Sequence, residues 1–287
     1  MTDRWTISRI TAWLAKDLAA KDVSSPRLEA ELLVAHALRL RRLDLFLRYD
    51  QPLGPDELAT LRGLIERRRR HEPLAYLTGE REFYGRALAV DRRVLIPRPE
   101  TEHVVDAVVE DLRARALETP TMLDLCTGSG CVAIACALAV PSLSVDAVDL
   151  SRDALEVAAA NVARHGLEAR VALHEGDLYA PVGDARFEVI SANPPYIPSG
   201  EVPGLMPDVS LHEPHLALDG GADGTAVLGP LLAGALARLK PGGLLVVEVG
   251  HDQGAWAVER ARGCGLVDAR MIKDLAGIER VLFARAP

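Results

Sequence analysis

From residue 121 onward, short apolar runs alternate with helical stretches, and this alternation limits the fold more than any other feature. "TMLDL" precedes "GCVAIACALAV", and "SVDAVDL" precedes "SRDALEVAAANVARHG" with its Ser cap and Gly stop. "ARVALHEGD" and "RFEVISANPP" read as two further strands. "TAVLGPLLAGALARLKPGG" then reads as a helix ended by Lys-Pro-Gly-Gly. "LLVVEVG" is a strand, "DQGAWAVERARGCG" a helix and "RVLFAR" a last strand. The expected fold is α/β, a parallel sheet wrapped by helices. Open sheets of this kind bind ligands at the carboxyl ends of their strands.

Residues 1–75 carry only helical patterns. "SSPRLEAELLVAHALRL" spaces Leu28, Leu32 and Ala35 along one helix face, and "PDELATLRGLIERRRR" does the same with Leu58, Leu61 and Ile65. Three to five short helices with single apolar stripes predict a small bundle. Trp5 and Trp13 are expected in its core, and Arg67 to Arg70 as a solvated basic helix end. Between the halves, "EREFYGRALAVDRRVLIP" predicts a hairpin, with "ALAV" and "VLI" as its extended runs. "PRPETEHVVDAVVEDLRARA" then begins a helix behind prolines and acids. Residues 199–224, rich in Pro, Gly and His, form a connection long enough to be a functional segment.

The chain has 33 basic and 41 acidic residues, a formal charge of −8. Phosphate contacts need clustered Lys and Arg, so no stable nucleic-acid partner is expected. The run at 131–140 is too short to span a bilayer, and "MTDRWTISRITAWL" has no signal-peptide core. A cytoplasmic protein acting as a monomer, with no membrane partner, is expected. Cys126, Cys131, Cys136 and Cys264 form no CxxC pair and are expected as reduced thiols, the first three as small core fillers, with no metal. There is no HExxH and no nucleophile elbow. The "HEPH" of 212–215 is expected to shape a lid over the substrate.

"LDLCTGSGCVAIA" sets Gly128 and Gly130 between a strand and a helix, in a Gly-x-Gly-x-x-Ala pattern. Small residues admit a ligand close to the backbone, and the helix start favours an anionic group. The pattern fits a dinucleotide or an S-adenosylmethionine site and lacks the Lys of a nucleoside-triphosphate loop. A tight strand–helix turn without a ligand can be spelled the same way. Asp149 ends the next strand, where a carboxylate can take both hydroxyls of a ribose. Asp177 ends the third and is placed for an adenine amino group. Asp124, inside the first strand, orients either the glycine turn or a ligand's ammonium.

The fourth strand runs into Asn193, Pro194, Pro195 and Tyr196. Pro194 forces Asn193 to be extended, and neither proline has an N–H. The corner is stiff and rich in carbonyls. The Asn193 side-chain oxygen and the Pro194 carbonyl make two fixed acceptors, a match for the two hydrogens of a planar –NH2 group, and Tyr196 adds a flat face. Such a corner suits an amide or an amino-purine beside a methyl sulfonium held at the glycine turn.

"LAYLTGEREFYG", "VLIPRPETE", "LDLCTGSG", "ANPPYIP", "HEPHLALDGGADG" and "ERVLFAR" together resemble the peptide chain release factor N5-glutamine methyltransferases, the PrmC/HemK family. The resemblance spans nearly the whole chain. It implies a Rossmann-like class I methyltransferase sheet with helices on both faces over 99–287. A helical bundle at 1–79 would grip the release factor, and a β-hairpin at 80–98 would link the two. The implied reaction moves a methyl group from S-adenosyl-L-methionine to the glutamine of the Gly-Gly-Gln motif in a class 1 peptide chain release factor. Asn193, Pro194, Pro195 and Tyr196 would hold the glutamine amide. Asp124, Cys126, Thr127, Gly128, Ser129, Gly130, Asp149, Leu150, Asp177, Leu178 and Asn193 would line the cofactor. Arg98 and Glu100 either approach the cofactor or fix an interdomain hinge. The family more often has Gly where this chain has Cys126. "DLCTGSGC" also resembles the sister enzymes that methylate a ribosomal protein glutamine, and an adenine-N6 nucleic-acid methyltransferase shares the Asn-Pro-Pro-aromatic corner but would want a basic recognition region.

Overall fold

The computed structural model describes residues 4–21, 23–274 and 277–287; the expected bundle and sheet domains each include positions outside these. The chain begins with α1 (Ile7–Ala19), α2 (Pro26–Leu38), α3 (Arg42–Leu47), α4 (Pro55–Arg68) and α5 (Leu74–Thr78). A hairpin of β1 (Glu80–Phe83) and β2 (Arg86–Ala89) leads to α6 (Glu102–Arg115). The alternating region follows as β3 (Thr121–Leu125), α7 (Cys131–Ala139), β4 (Ser144–Asp149), α8 (Arg152–Arg164), β5 (Val171–Glu175) and β6 (Phe187–Ala192). After a connection carrying α9 (Pro207–Ser210) come α10 (Leu228–Arg238), β7 (Leu239–Glu248), α11 (Gly254–Gly263), β8 (Val267–Lys273) and β9 (Glu279–Arg285).

Two compact units result. One comprises the described residues up to Gly79 with Met206–His212, the other Glu80–Leu205 with Glu213–Pro287. The helical unit closes on Ile7, Ile10, Leu14, Leu33, Leu61 and Leu64. Its α2 stripe runs through Ala30, Leu33, Val34 and Ala35; of the expected Leu28–Leu32–Ala35 face, Ala35 enters the core, Leu32 is half-buried and Leu28 is 41% exposed. Trp5 and Trp13 are not core residues either. They meet edge to face at 6.1 Å, with the Arg9 and Arg69 guanidiniums over their rings. The basic end of α4 is not merely solvated. Arg67 pairs with Glu72, Arg69 with Asp17, and the buried Arg68 with Glu29 and Asp208. Arg68 ties the 206–212 segment to this unit.

The seven-stranded sheet has the order β5-β4-β3-β6-β7-β9-β8. β5 through β7 are parallel, whereas β9 runs antiparallel to both β7 and β8, so the sheet is mixed rather than purely parallel. Strand pleating sends alternate residues to opposite faces. Met122, Val145, Val189, Leu244 and Val246 enter one core with α6 and α7. Leu123, Leu125, Ile190, Leu245 and Val247 enter the other with α10 and α11. β8 was hidden in the sequence because it is a largely exposed edge with a positive φ at Asp268. Lys-Pro-Gly-Gly does not end a helix in a loop; β7 already begins at Leu239, with a register irregularity against β6. In the hairpin, Tyr84 and Gly85 both have positive φ, the two-residue turn that suits strand twist. Val94–Ile96 adds no strand.

Asn161 of α8 fastens the hairpin to the sheet unit. Its amide accepts from Ala89 N at 2.7 Å and donates to Ala89 O at 3.0 Å and to Ser129 O at 2.9 Å. Asn161 is fully buried. Asn161→Leu leaves the buried Ser129 carbonyl and the part-buried N–H and carbonyl of Ala89 without this partner and is expected to lower unfolding free energy by about 3–5 kcal/mol. Urea denaturation of the two proteins measures this directly.

Candidate active site

The chain leaves β3 toward β4 on one side and returns through β6 on the other, so the sheet order switches between β3 and β6. A crevice opens at such a switch point outside the carboxyl ends of the strands. One cleft there is lined by Asp124, Cys126, Thr127, Gly128, Ser129, Asp149, Leu150, Asp177, Leu178, Asn193 and Pro195 of the expected residues. Gly130, Pro194 and Tyr196 are not among its lining residues. Gly130 has φ +79°, and a Cβ there would stand 3.2 Å from Ile134 and 3.5 Å from Ala158. Its lack of a side chain serves helix packing more than ligand approach.

Asp124 is buried and organises the turn. Ser191 Oγ donates to one of its oxygens at 2.5 Å and Thr127 Oγ1 to the other at 2.6 Å. Burial pushes its pKa up to about 6 against these hydrogen bonds, and Asp149 adds repulsion. A folded pKa above the unfolded value of 3.8 means that this stabilising contribution is complete below about pH 4. It is lost as pH rises through about 6. Relative to Asp124→Asn, the wild type is expected to lose about 2 kcal/mol of stability between about pH 4 and pH 6. Denaturant titrations of both proteins at the two pH values measure it; a constant difference contradicts the shift.

Asp149 ends β4 and holds the turn from the other side. Its carboxylate accepts from Gly128 N and Ser151 N, each at 2.8 Å. Burial raises its pKa while these N–H groups oppose the rise. Gly128 has open space where a Cβ would stand. Cys126 adopts φ +56°, a left-handed backbone that costs a residue bearing a Cβ about 1–2 kcal/mol and glycine little. That is the physical reason glycine suits this position. Cys126 and Cys131 line the cleft rather than simply filling a core, and burial pushes both thiols up, Cys131 to about 12.

The Asn193–Tyr196 corner is held by partners that sequence spacing does not reveal. Asn193 Nδ2 lies 3.1 Å from Thr101 Oγ1, Thr101 donates to Glu248 at 2.6 Å, and the Tyr196 hydroxyl donates to Glu248 at 3.2 Å. The Tyr196 carbonyl accepts from Gln253 Nε2, which also donates to Gly224 O. A Cβ at Gly224 would lie 2.3 Å from the Tyr196 carbonyl oxygen, so "DGGADG" is the backbone bed of the corner. Arg98 pairs with the buried Glu213 of "HEPH" at 2.6 Å, and Glu213 also accepts from Ile96 N. Arg98 thus lines the cleft while bracing the loop after the corner. No cluster of metal-ligating side chains occurs among the described residues.

A mixed sheet whose parallel strands carry a glycine turn after the first, an acid after the second and Asn-Pro-Pro-Tyr after the fourth defines a class I methyltransferase. The profile described as the PrmC N-terminal domain matches residues 9–79, and that of the methyltransferase small domain matches 103–204. The release factor glutamine methyltransferase of Geobacter sulfurreducens is 42% identical over 281 residues, covering 98% of this chain and 97% of its own. That of Moorella thermoacetica is 42% identical over 280 residues, covering 97% and 98%. Among solved structures, the 16S rRNA N2 G1207 methyltransferase of T. Thermophilus, in complex with AdoMet and guanosine, shares the fold. Its TM-score is 0.51 at 18% identity, covering 72% of this chain and 50% of that one. The chain belongs to the release factor glutamine methyltransferase family.

Proposed function

We propose that this protein transfers the methyl group of S-adenosyl-L-methionine to the side-chain amide nitrogen (N5) of the glutamine in the Gly-Gly-Gln motif of class 1 peptide chain release factors. The observation that carries this reading is the meeting of Asn193 and Pro195 with the glycine turn and Asp149 in one cleft. The cleft suits the methyl donor. Ser129 Oγ is buried in the wall without an oxygen or nitrogen partner, the space over Gly128 is open, and Asp149 and Asp177 supply carboxylate acceptors.

When bound, the donor supplies a methyl carbon made electrophilic by its sulfonium. The protein's own contribution is positioning, which can be worth about 7–11 kcal/mol. Asp149 and the glycine turn would hold the donor through its hydroxyls and through backbone groups. Asn193 Oδ1 and the Pro194 carbonyl take the two hydrogens of the glutamine amide and aim the face of its nitrogen. Tyr196, whose hydroxyl and carbonyl are both tethered, keeps the corner from turning. The cation formed on the amide nitrogen by transfer is strongly acidic, so its proton can pass to water without a dedicated base.

The helical unit would seat the release factor. The α3 region exposes Leu43, Phe46, Leu47 and Tyr49, with Leu47 at 80%. The protein would act as a single cytoplasmic chain without a nucleic-acid partner, consistent with a net charge of −8 and with Arg67, Arg68 and Arg69 engaged in ion pairs. No helix among the described residues is long and apolar enough to cross a membrane. The test incubates the full chain and labelled S-adenosylmethionine with a release factor, a ribosomal protein or DNA. Label in the release factor is expected, and label only in the ribosomal protein or only in DNA overturns the proposal.

A further inference from the structure

We infer that Thr101 and Glu248 are positioning residues that determine which end of the Asn193 amide faces the substrate. The inference rests on the glutamine-amide reading above and deepens it. A carboxamide can turn over about its terminal bond with almost no change of shape, exchanging its oxygen and its –NH2. Only one orientation offers an acceptor to an incoming –NH2 group. The other sets donor against donor.

The hydrogen-bond chain behind Asn193 selects between them. Glu248, at the end of β7, is 2% exposed, and as a carboxylate it can only accept. It receives the Thr101 hydroxyl at 2.6 Å and the Tyr196 hydroxyl at 3.2 Å. Thr101 is 1% exposed and has a single hydroxyl hydrogen, which is committed to Glu248. Toward Asn193 its oxygen can therefore only accept, and Asn193 Nδ2 stands 3.1 Å away. The –NH2 end of Asn193 is drawn back to Thr101, and Oδ1 is left for the cleft that Asn193 lines. One buried acceptor thus sets the direction of two successive hydrogen bonds, Thr101 to Glu248 and Asn193 to Thr101. Were Glu248 a donor toward Thr101, the Thr101 hydroxyl would donate onward, and Asn193 would turn its –NH2 into the cleft.

The test uses the full chain, labelled S-adenosylmethionine and a purified class 1 release factor. Cofactor Kd by calorimetry and the melting temperature are measured alongside turnover. Thr101→Val keeps the shape and removes the hydroxyl; Thr101→Ser keeps the hydroxyl. Glu248→Gln leaves one acceptor for two hydroxyl donors, so the chain loses its fixed direction. Thr101→Val and Glu248→Gln are each expected to lower kcat by about 10–100-fold, the usual loss when an outer partner of a working group is removed. Cofactor Kd is expected to stay within about threefold, under 1 kcal/mol. Thr101→Ser is expected to restore kcat to within about threefold of wild type. A Thr101→Val kcat within about threefold of wild type, or Thr101→Ser as impaired as Thr101→Val, overturns the inference. If Thr101→Val fails to fold, Glu248→Gln decides by the same kcat criterion. A wild-type protein that leaves the release factor unlabelled defeats the glutamine reading itself. An active wild type with an equally active Thr101→Val defeats only the positioning role.

Discussion

Asn193→Ala is expected to reduce kcat for release factor methylation by about a hundred- to a thousandfold, the loss typical of removing one preorganised polar contact at a reacting centre. Its cofactor Kd is expected to stay within about tenfold, or 1.4 kcal/mol. The reasoning separates two duties of one side chain. As a wall of the cleft, Asn193 is one residue among many, and the donor keeps Asp149 and the glycine turn. As the acceptor proposed for the substrate amide it would have a single companion, the Pro194 carbonyl. Without it the amide keeps one anchoring hydrogen bond, about which it can rotate, and the nitrogen no longer presents a fixed face. Single-turnover transfer with saturating cofactor measures the step itself. Turnover within about tenfold of wild type would show that the corner does not clamp the amide.

The parts of this site legible in the sequence are those whose chemistry is local. Asn193, Pro194 and Pro195 make a stiff corner wherever they occur, and a Gly-x-Gly after an apolar strand makes a turn whatever surrounds it. Asp149 was recognisable because it ends a strand. Thr101, Glu248, Gln253 and Asn161 were not, because each acts only through register and packing. Thr101 stands 92 positions from Asn193 and 147 from Glu248. Thr101 reads as part of a helix start and Glu248 as one acid in an apolar strand. A buried Glu in the middle of "VVEVG" was the available signal, since an ionisable group is almost never fully buried without a partner. The fold diverged in the same way. Parallel strands buried on both faces were plain, whereas β8 is an edge strand whose pattern solvent does not constrain. In α2 apolar residues surround the helix almost evenly, which leaves periodicity little to select.

Asp149→Ala is expected to fail at the other end of the reaction, in donor binding. The Asp149 carboxylate stands behind the turn and in the cleft wall at once. One oxygen accepts from Gly128 N and the other from Ser151 N, both at 2.8 Å, and each oxygen retains lone-pair capacity for a hydroxyl. Hydrogen bonds to a charged group are worth about 1.5–3 kcal/mol each, and two are lost to the donor. The Gly128 and Ser151 N–H groups also lose their acceptor, so the turn that must receive the donor is loosened. Together these weaken S-adenosylmethionine binding by at least about a hundredfold, or 2.7 kcal/mol. Asp149→Asn keeps one acceptor and is expected to fall between the two. Calorimetry on the full chain reads Kd without requiring turnover, which sets this variant apart from Asn193→Ala. Asp149 is expected to act through Kd and Asn193 through kcat. An Asp149→Ala protein that binds the donor within about threefold of wild type would mean that the carboxylate serves only the turn and that the donor's hydroxyls are held elsewhere.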